Sequence, residues 1–175
     1  MFKKIALGLV VVILVFLGFV ASRPGSFRVE RSIAVKASPD KIFPLVNDFH
    51  QWALWSPWDK LDPTMQRTYS GPSQGQGAAY AWQSAKVGDG RMEIIASAPP
   101  SGLVVQLDFI KPFEAHNVAE FTLLPQGDST KVSWVMRGPN PFMAKLMGLF
   151  FSMDQVVGKD FETGLANIKA AAEKP

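Results

Sequence analysis

Between Met65 and Pro139 the chain alternates short strand patterns with turn signals, and after Pro141 the turn signals stop. That punctuation constrains the fold more than any other feature. The turns are Gly71–Gly77, Gly88-Asp89-Gly90, Pro99–Gly102, Lys111-Pro112-Phe113 and Gln126-Gly127-Asp128. Five turns at this spacing join six strands in an antiparallel meander. Leu103, Val105, Leu107 and Phe109 alternate with Val104, Gln106, Asp108 and Ile110; Ala119, Phe121 and Leu123 repeat the pattern, then Val132, Trp134 and Met136. One face is apolar and the other mixed, as expected of an antiparallel sheet wrapped around something.

The flanking segments complete the element order. Phe27 to Val35 alternates as a strand, with Arg31 the exception on its apolar side. Ser38-Pro39-Asp40 is a helix start, and the helix carries Ile42, Phe43, Leu45 and Val46 before ending near Asn47. Trp52, Trp55 and Trp58 follow at intervals of three, where Pro57 and Pro63 limit any helix. After Pro139-Asn140-Pro141, the recurrence of Leu146, Phe150, Met153, Val157, Phe161, Leu165 and Ile168 predicts one long helix from 142 to about 173. Its first half, Phe142 to Met153, is apolar nearly all round and includes Met143, Met147 and Met153. Such a stretch must be covered by the sheet or must itself touch ligand or lipid.

The start of the chain reads as a separate segment. Met1-Phe2-Lys3-Lys4 is followed by Ile5 to Ala21, 17 residues without a charged or polar side chain. That length lies at the lower limit for spanning a bilayer and above the usual core of a signal peptide. Residues 1–22 are therefore a membrane anchor or a cleaved signal, 23–26 a tether, and 27–175 the folded body. Either reading sends the body across the membrane if Lys3 and Lys4 stay inside, although Arg23, Arg28 and Arg31 argue weakly for the reverse. The expected location is a single-pass membrane protein with an extracytoplasmic body, periplasmic in a bacterium. The chain carries 18 basic and 15 acidic residues; without Lys3 and Lys4 the body keeps 16 against 15. Near-neutrality with scattered charges gives no nucleic-acid footprint. Zero cysteines exclude a disulfide scaffold, a thiolate metal site and a cysteine nucleophile.

The order strand, Ser-Pro-started helix, Trp-rich loop, six-strand meander and long C-terminal helix resembles the START-like, helix-grip fold of the SRPBCC superfamily, which includes the polyketide cyclase/dehydrase-like proteins. The resemblance rests on Glu30-Arg31-Ser32-Ile33, Ser38 to Phe43, Trp55-Ser56-Pro57-Trp58, Gly127 to Trp134, and Gly158-Lys159-Asp160-Phe161 through Leu165. It covers about residues 27–172, with the N-terminal apolar segment as an addition. It implies an α+β architecture: a seven-stranded antiparallel sheet curled around the long C-terminal helix, with an apolar cavity between them. It does not fix a function, because the superfamily contains carriers, cyclases, hydrolase-like members and chaperone activators.

Residues of the inward phase supply the expected cavity: Arg31, Arg67, Tyr69, Tyr80, Trp82, Val105, Leu107, Phe109, Phe121, Trp134, Met136, Leu146, Phe150, Met153 and Val157. Arg31 and Arg67 share the phase of apolar neighbours, so each is either a fork for a ligand's acidic group or a rim arginine that snorkels out. Trp52, Trp55 and Trp58 either cap the cavity, sit at a membrane interface or pack beside the first helix. Glu114 and His116 are the one histidine–carboxylate pair with acid–base potential, against the plainer reading of a turn histidine. Gly71-Pro72-Ser73-Gln74-Gly75 matches an esterase motif, but a strand pattern rather than a helix follows it, so it reads as a turn. No metal-ligand spacing and no phosphate-loop glycine motif occurs, so neither a metal nor a cofactor is expected.

The function expected from these features is membrane-tethered binding of a hydrophobic small molecule or lipid. The alternatives are a cyclase or hydrolase running acid–base chemistry in the same cavity, and an interaction module whose envelope protein partner covers the Met-rich helix start.

Overall fold

The computed structural model of the chain describes residues 2–174. With no proline and no charge beyond Lys4, Phe2–Ala21 forms helix α1. At 1.5 Å per residue its 20 residues span about 30 Å, the thickness of a bilayer's hydrocarbon core. Its mean hydropathy of 2.8 makes it long and apolar enough to cross a membrane. Only Val20 of α1 is buried.

Seven strands follow: β1 (Ser26–Val35), β2 (Gln66–Ser70), β3 (Ala79–Ser84), β4 (Gly88–Ala98), β5 (Gly102–Lys111), β6 (Ala115–Gln126) and β7 (Ser129–Pro139). They form one antiparallel sheet in the order β1-β7-β6-β5-β4-β3-β2. The meander β2 to β7 closes on β1, whose Ser26 pairs with Pro139 and Val35 with Thr130. Between β1 and β2 the chain makes helix α2 (Pro39–Asn47), the single turn α3 (Trp52–Trp55), and two 3-10 turns at Phe49–Gln51 and Trp58–Lys60.

The sheet's inner face packs on α5 (Met153–Ala172), which buries Phe161, Leu165 and Ile168. The helix expected from 142 onward is interrupted. α4 covers only Phe142–Met147 and α5 begins at Met153. Gly148 ends the first piece. Ser152 then caps the second through a reciprocal box, its hydroxyl accepting from the Gln155 N–H while the Gln155 side chain accepts from the Ser152 N–H.

The space between sheet and helix is unevenly filled. At the end where β5 begins and β6 finishes, Leu103, Val105, Phe121, Leu123 and Val132 meet Ile42, Val46, Phe49 and Trp55 in a continuous buried cluster. Full burial of a side chain in this class contributes roughly 1.5–3 kcal/mol, so this half anchors the fold. The other half, toward the start of β1 and the end of β7, is hollow.

Candidate functional site

The hollow half is a cavity of about 180 Å³. Four strands build one wall with Tyr80 and Trp82 (β3), Met92 (β4), Leu107 and Phe109 (β5), and Trp134 and Met136 (β7), with Ala119 of β6 between them. Val157 and Phe161 of α5 form the opposite side, and Trp52, Ser56, Trp58, Asp59 and Met65 close it from the α3 segment. The deep residues Tyr80, Trp134, Met136 and Phe161 are buried, whereas Trp58, Asp59, Val87, Leu107, Phe109 and Val157 are half-exposed and outline the mouth.

Trp82 can lie along this wall because its cross-strand partner is Gly90. A Cβ there would overlap the indole and press on the Asp108 carbonyl. Trp134 stacks on Phe121 on one side and on Phe161 on the other. Its Cζ3 edge faces Gly164, which turns the opposite edge of the indole, the one bearing Nε1, away from that glycine. Nε1 is the one buried side-chain polar atom without a hydrogen-bond partner among the described residues. A buried, unpaired N–H costs about 1–3 kcal/mol, so a cavity wall that carries one is built to receive an acceptor.

Polar groups at the mouth are already engaged with each other. Arg67 Nε donates to Asp59 Oδ1 at 2.8 Å, and its Nη2 donates to the Asp59 carbonyl at 3.2 Å. Burial pushes the Tyr80 phenol well above its usual value, so it stays neutral in the wall. Asp62, almost fully buried, pins the segment between Trp58 and β2 to the β3–β4 turn. It accepts from Ser84 Oγ at 2.6 Å, Thr64 Oγ1 at 2.6 Å and the Thr64 N–H at 3.0 Å. Those bonds, the Ser84 hydroxyl foremost, lower its carboxyl to about 2.

Of the residues expected to line the cavity, Tyr80, Trp82, Leu107, Phe109, Trp134, Met136 and Val157 meet around it. Val105 and Phe121 share their phase but lie in the filled half. Tyr69 stands outside, stacked on His50 with ring centroids 4.0 Å apart. Leu146, Phe150 and Met153 are not in the wall, because the chain turns between α4 and α5 and leaves Phe150 74% and Met153 39% exposed. Arg31 also stands apart. Its Nε donates to Glu162 Oε1 at 2.7 Å, and Nη1 and Nη2 donate to the two Asp154 oxygens at 2.8 and 3.0 Å. It fastens β1 to α5, and its guanidinium lies where a Cβ of Gly158 would be. Met65, Met92, Ala119, Phe161, Ser56 and Asp59 join the wall without having been expected there.

His116 and Glu114 are exposed on the opposite face of the sheet. His116 pairs across strands with Asp108, whose neighbours Leu107 and Phe109 face the cavity. Nδ1 of His116 lies 2.8 Å from Asp108 Oδ1, and this contact raises the imidazole's pKa above its ordinary value. Asp59 is therefore the single carboxylate on the cavity wall, and Arg67 holds it. Ser73 is exposed in the β2–β3 loop with no helix after it. No cluster of three or more potential metal ligands occurs among the described residues.

The sequence profile described as "Polyketide cyclase / dehydrase and lipid transport" matches residues 26–173. The chain belongs to the polyketide cyclase/dehydrase and lipid transport family. This places the open seven-stranded sheet and its C-terminal helix within the START-like (SRPBCC, Bet v1-like) fold, with α1 lying ahead of the family domain. No curated protein matches the chain in sequence. Among solved structures it is similar to protein CV1439 from Chromobacterium violaceum, at 13% identity and a TM-score of 0.58, over 87% of this chain and 99% of that one. It is similar to Ara h 8.0201 at 14% identity and a TM-score of 0.58, over 85% and 98% of the two chains. The di-domain aromatase/cyclase BexL of the BE-7585A biosynthetic pathway matches at 14% identity and a TM-score of 0.62, over 89% of this chain and 53% of that one. At these identities the shared property is the fold.

Proposed function

We propose that this family member binds a hydrophobic small molecule or lipid in the cavity between sheet and α5, while α1 tethers it to a membrane with the body on the extracytoplasmic side. The observation that carries the reading is the cavity itself: a hollow half of the core, walled by aromatic and methionine side chains, with Trp134 Nε1 as an unused donor. A soluble core ordinarily closes such space, since each lost contact costs stability. Apolar burial holds the body of the ligand, and the Trp134 N–H receives an oxygen acceptor on it. Arg31 and Arg67 have no part in that anchoring, because carboxylates already occupy both guanidiniums. The family's name supports the ligand class and leaves the molecule open.

Four of the five tryptophans line the cavity, which gives the test its readout. Titrating the full chain in nanodiscs with a brominated fatty acid is expected to quench its fluorescence saturably at one equivalent. Quenching that rises only in proportion to the quencher dissolved in the bilayer would reject the reading.

A further inference from the structure

We infer that α4, the loop joining it to α5, and the β5–β6 turn form a rim that inserts into the lipid bilayer, so that the cavity mouth opens at the membrane surface. The inference goes beyond ligand binding and rests on the tethering by α1.

Sheet topology supplies the first half of the argument. Because every pairing is antiparallel, the start of β1, the end of β7, the start of β6, the end of β5, the start of β4 and the end of β3 all lie at one end of the sheet. The tether enters at that end, at Ser26. The cavity mouth is at that end too, at Phe109 and at Val87 in the β3–β4 turn. The mouth therefore faces the same way as the membrane anchor.

The surface of that end supplies the second half. Met143, Met147, Phe150 and Phe151 are 57–74% exposed, and Phe113 in the β5–β6 turn is 79% exposed. A run of large apolar side chains left uncovered by the fold marks an interaction surface. Its position says which one. α4 touches α1, Lys145 Nζ donates to the Ala21 carbonyl at 3.0 Å, and Asn140 Nδ2 donates to the Pro24 carbonyl at 3.2 Å. The patch is thus fastened to the last turn of a helix of membrane-spanning length and continues its apolar surface sideways. Lys86 and Lys111 flank the mouth at the same end, where they would meet phosphate headgroups. Apolar side chains beside basic ones, at the level where a spanning helix leaves the bilayer, fit an interfacial lipid contact. An apolar ligand then passes between bilayer and cavity without crossing water.

The absence of native cysteine makes the test direct. Single variants M147C, F151C, V12C and L124C of the full chain are spin-labelled and reconstituted in vesicles of phosphatidylcholine and phosphatidylglycerol. Collision rates are then measured with oxygen, which concentrates in lipid, and with a water-soluble nickel chelate. Val12 lies in the middle of α1, and Leu124 is exposed near the opposite end of the sheet. Labels at 147 and 151 are expected to behave like the label at 12, with a several-fold higher oxygen-to-nickel ratio than at 124. If 12 is in lipid but 147 and 151 match 124, the rim is refuted and the anchor stands. If 12 itself is open to nickel, the anchor falls and the rim with it. Labels at 147 and 151 shielded from both reagents would mean that a second copy covers the patch, which also refutes lipid contact.

Discussion

Trp134 of β7 and Phe161 of α5 lie face to face, with ring centroids 3.9 Å apart and 6° between their planes. This stack ties the sheet to the helix at the border between the filled and hollow halves, and it presents the indole edge that lacks a partner. W134F keeps an aromatic ring in the stack and deletes the donor. We expect stability to change little, because the wild-type N–H is unpaired when no ligand is bound. Affinity for hexanophenone should fall by about 1 kcal/mol, roughly fivefold, while that for hexylbenzene stays the same. Isothermal titration of the pair separates the two contributions.

Ala119 sits buried in the cavity wall on the central strand β6. A119L adds three carbons to the hollow rather than to a packed core. Quenching by the brominated fatty acid should be lost, while thermal unfolding stays within a few degrees of the parent. A variant that still binds with unchanged affinity would place the ligand elsewhere.

Gly90 gives Trp82 its place. In G90A the new methyl overlaps the indole and the Asp108 carbonyl, so β4 must move or Trp82 must leave the wall. Overpacking of this kind costs about 1–3 kcal/mol, measurable by urea unfolding.

Asp62 couples the mouth of the cavity to acid. Its carboxyl is held at about 2 in the folded protein by Ser84 and Thr64, below its ordinary value in the unfolded chain. A lowered folded pKa means that this contribution is complete above the unfolded pKa and is lost as the pH falls toward about 2. Stability should therefore decline through that acid window, and D62N, which cannot titrate, should flatten the decline as followed by circular dichroism.

His116 behaves in the opposite sense. Its pKa is raised by Asp108, so its small contribution is present below the ordinary histidine value and disappears as the pH rises through the folded pKa. H116A should remove that pH dependence and leave ligand binding unchanged, because the ring is on the outer face.

The sheet was legible because period-2 alternation and glycine or proline turns mark strands locally, and Leu103 to Phe109 shows both. The cavity was legible only by face. Phase places Phe121 and Trp134 on the same side of the sheet, but it carries no information on how far along the strand the helix and α3 fill the space. Arg31 illustrates the remaining limit: its partners Asp154 and Glu162 are more than 120 residues away, and no local pattern announces them. Asp59 likewise reaches the wall through the fold of the 56–65 segment. The division of the last helix did leave a signal, since Ser152 and Gln155 have the spacing of a capping box, yet the continuing apolar recurrence through Phe150 and Met153 masked it.

The central claim is that the hollow half of the core holds an apolar molecule. Native mass spectrometry of the full chain, released from nanodiscs, tests it most directly. The account predicts a discrete additional mass, lost on denaturation and apolar in character, that A119L no longer carries. A clean unliganded mass, unchanged after exposure to a panel of lipids and apolar small molecules, would contradict it.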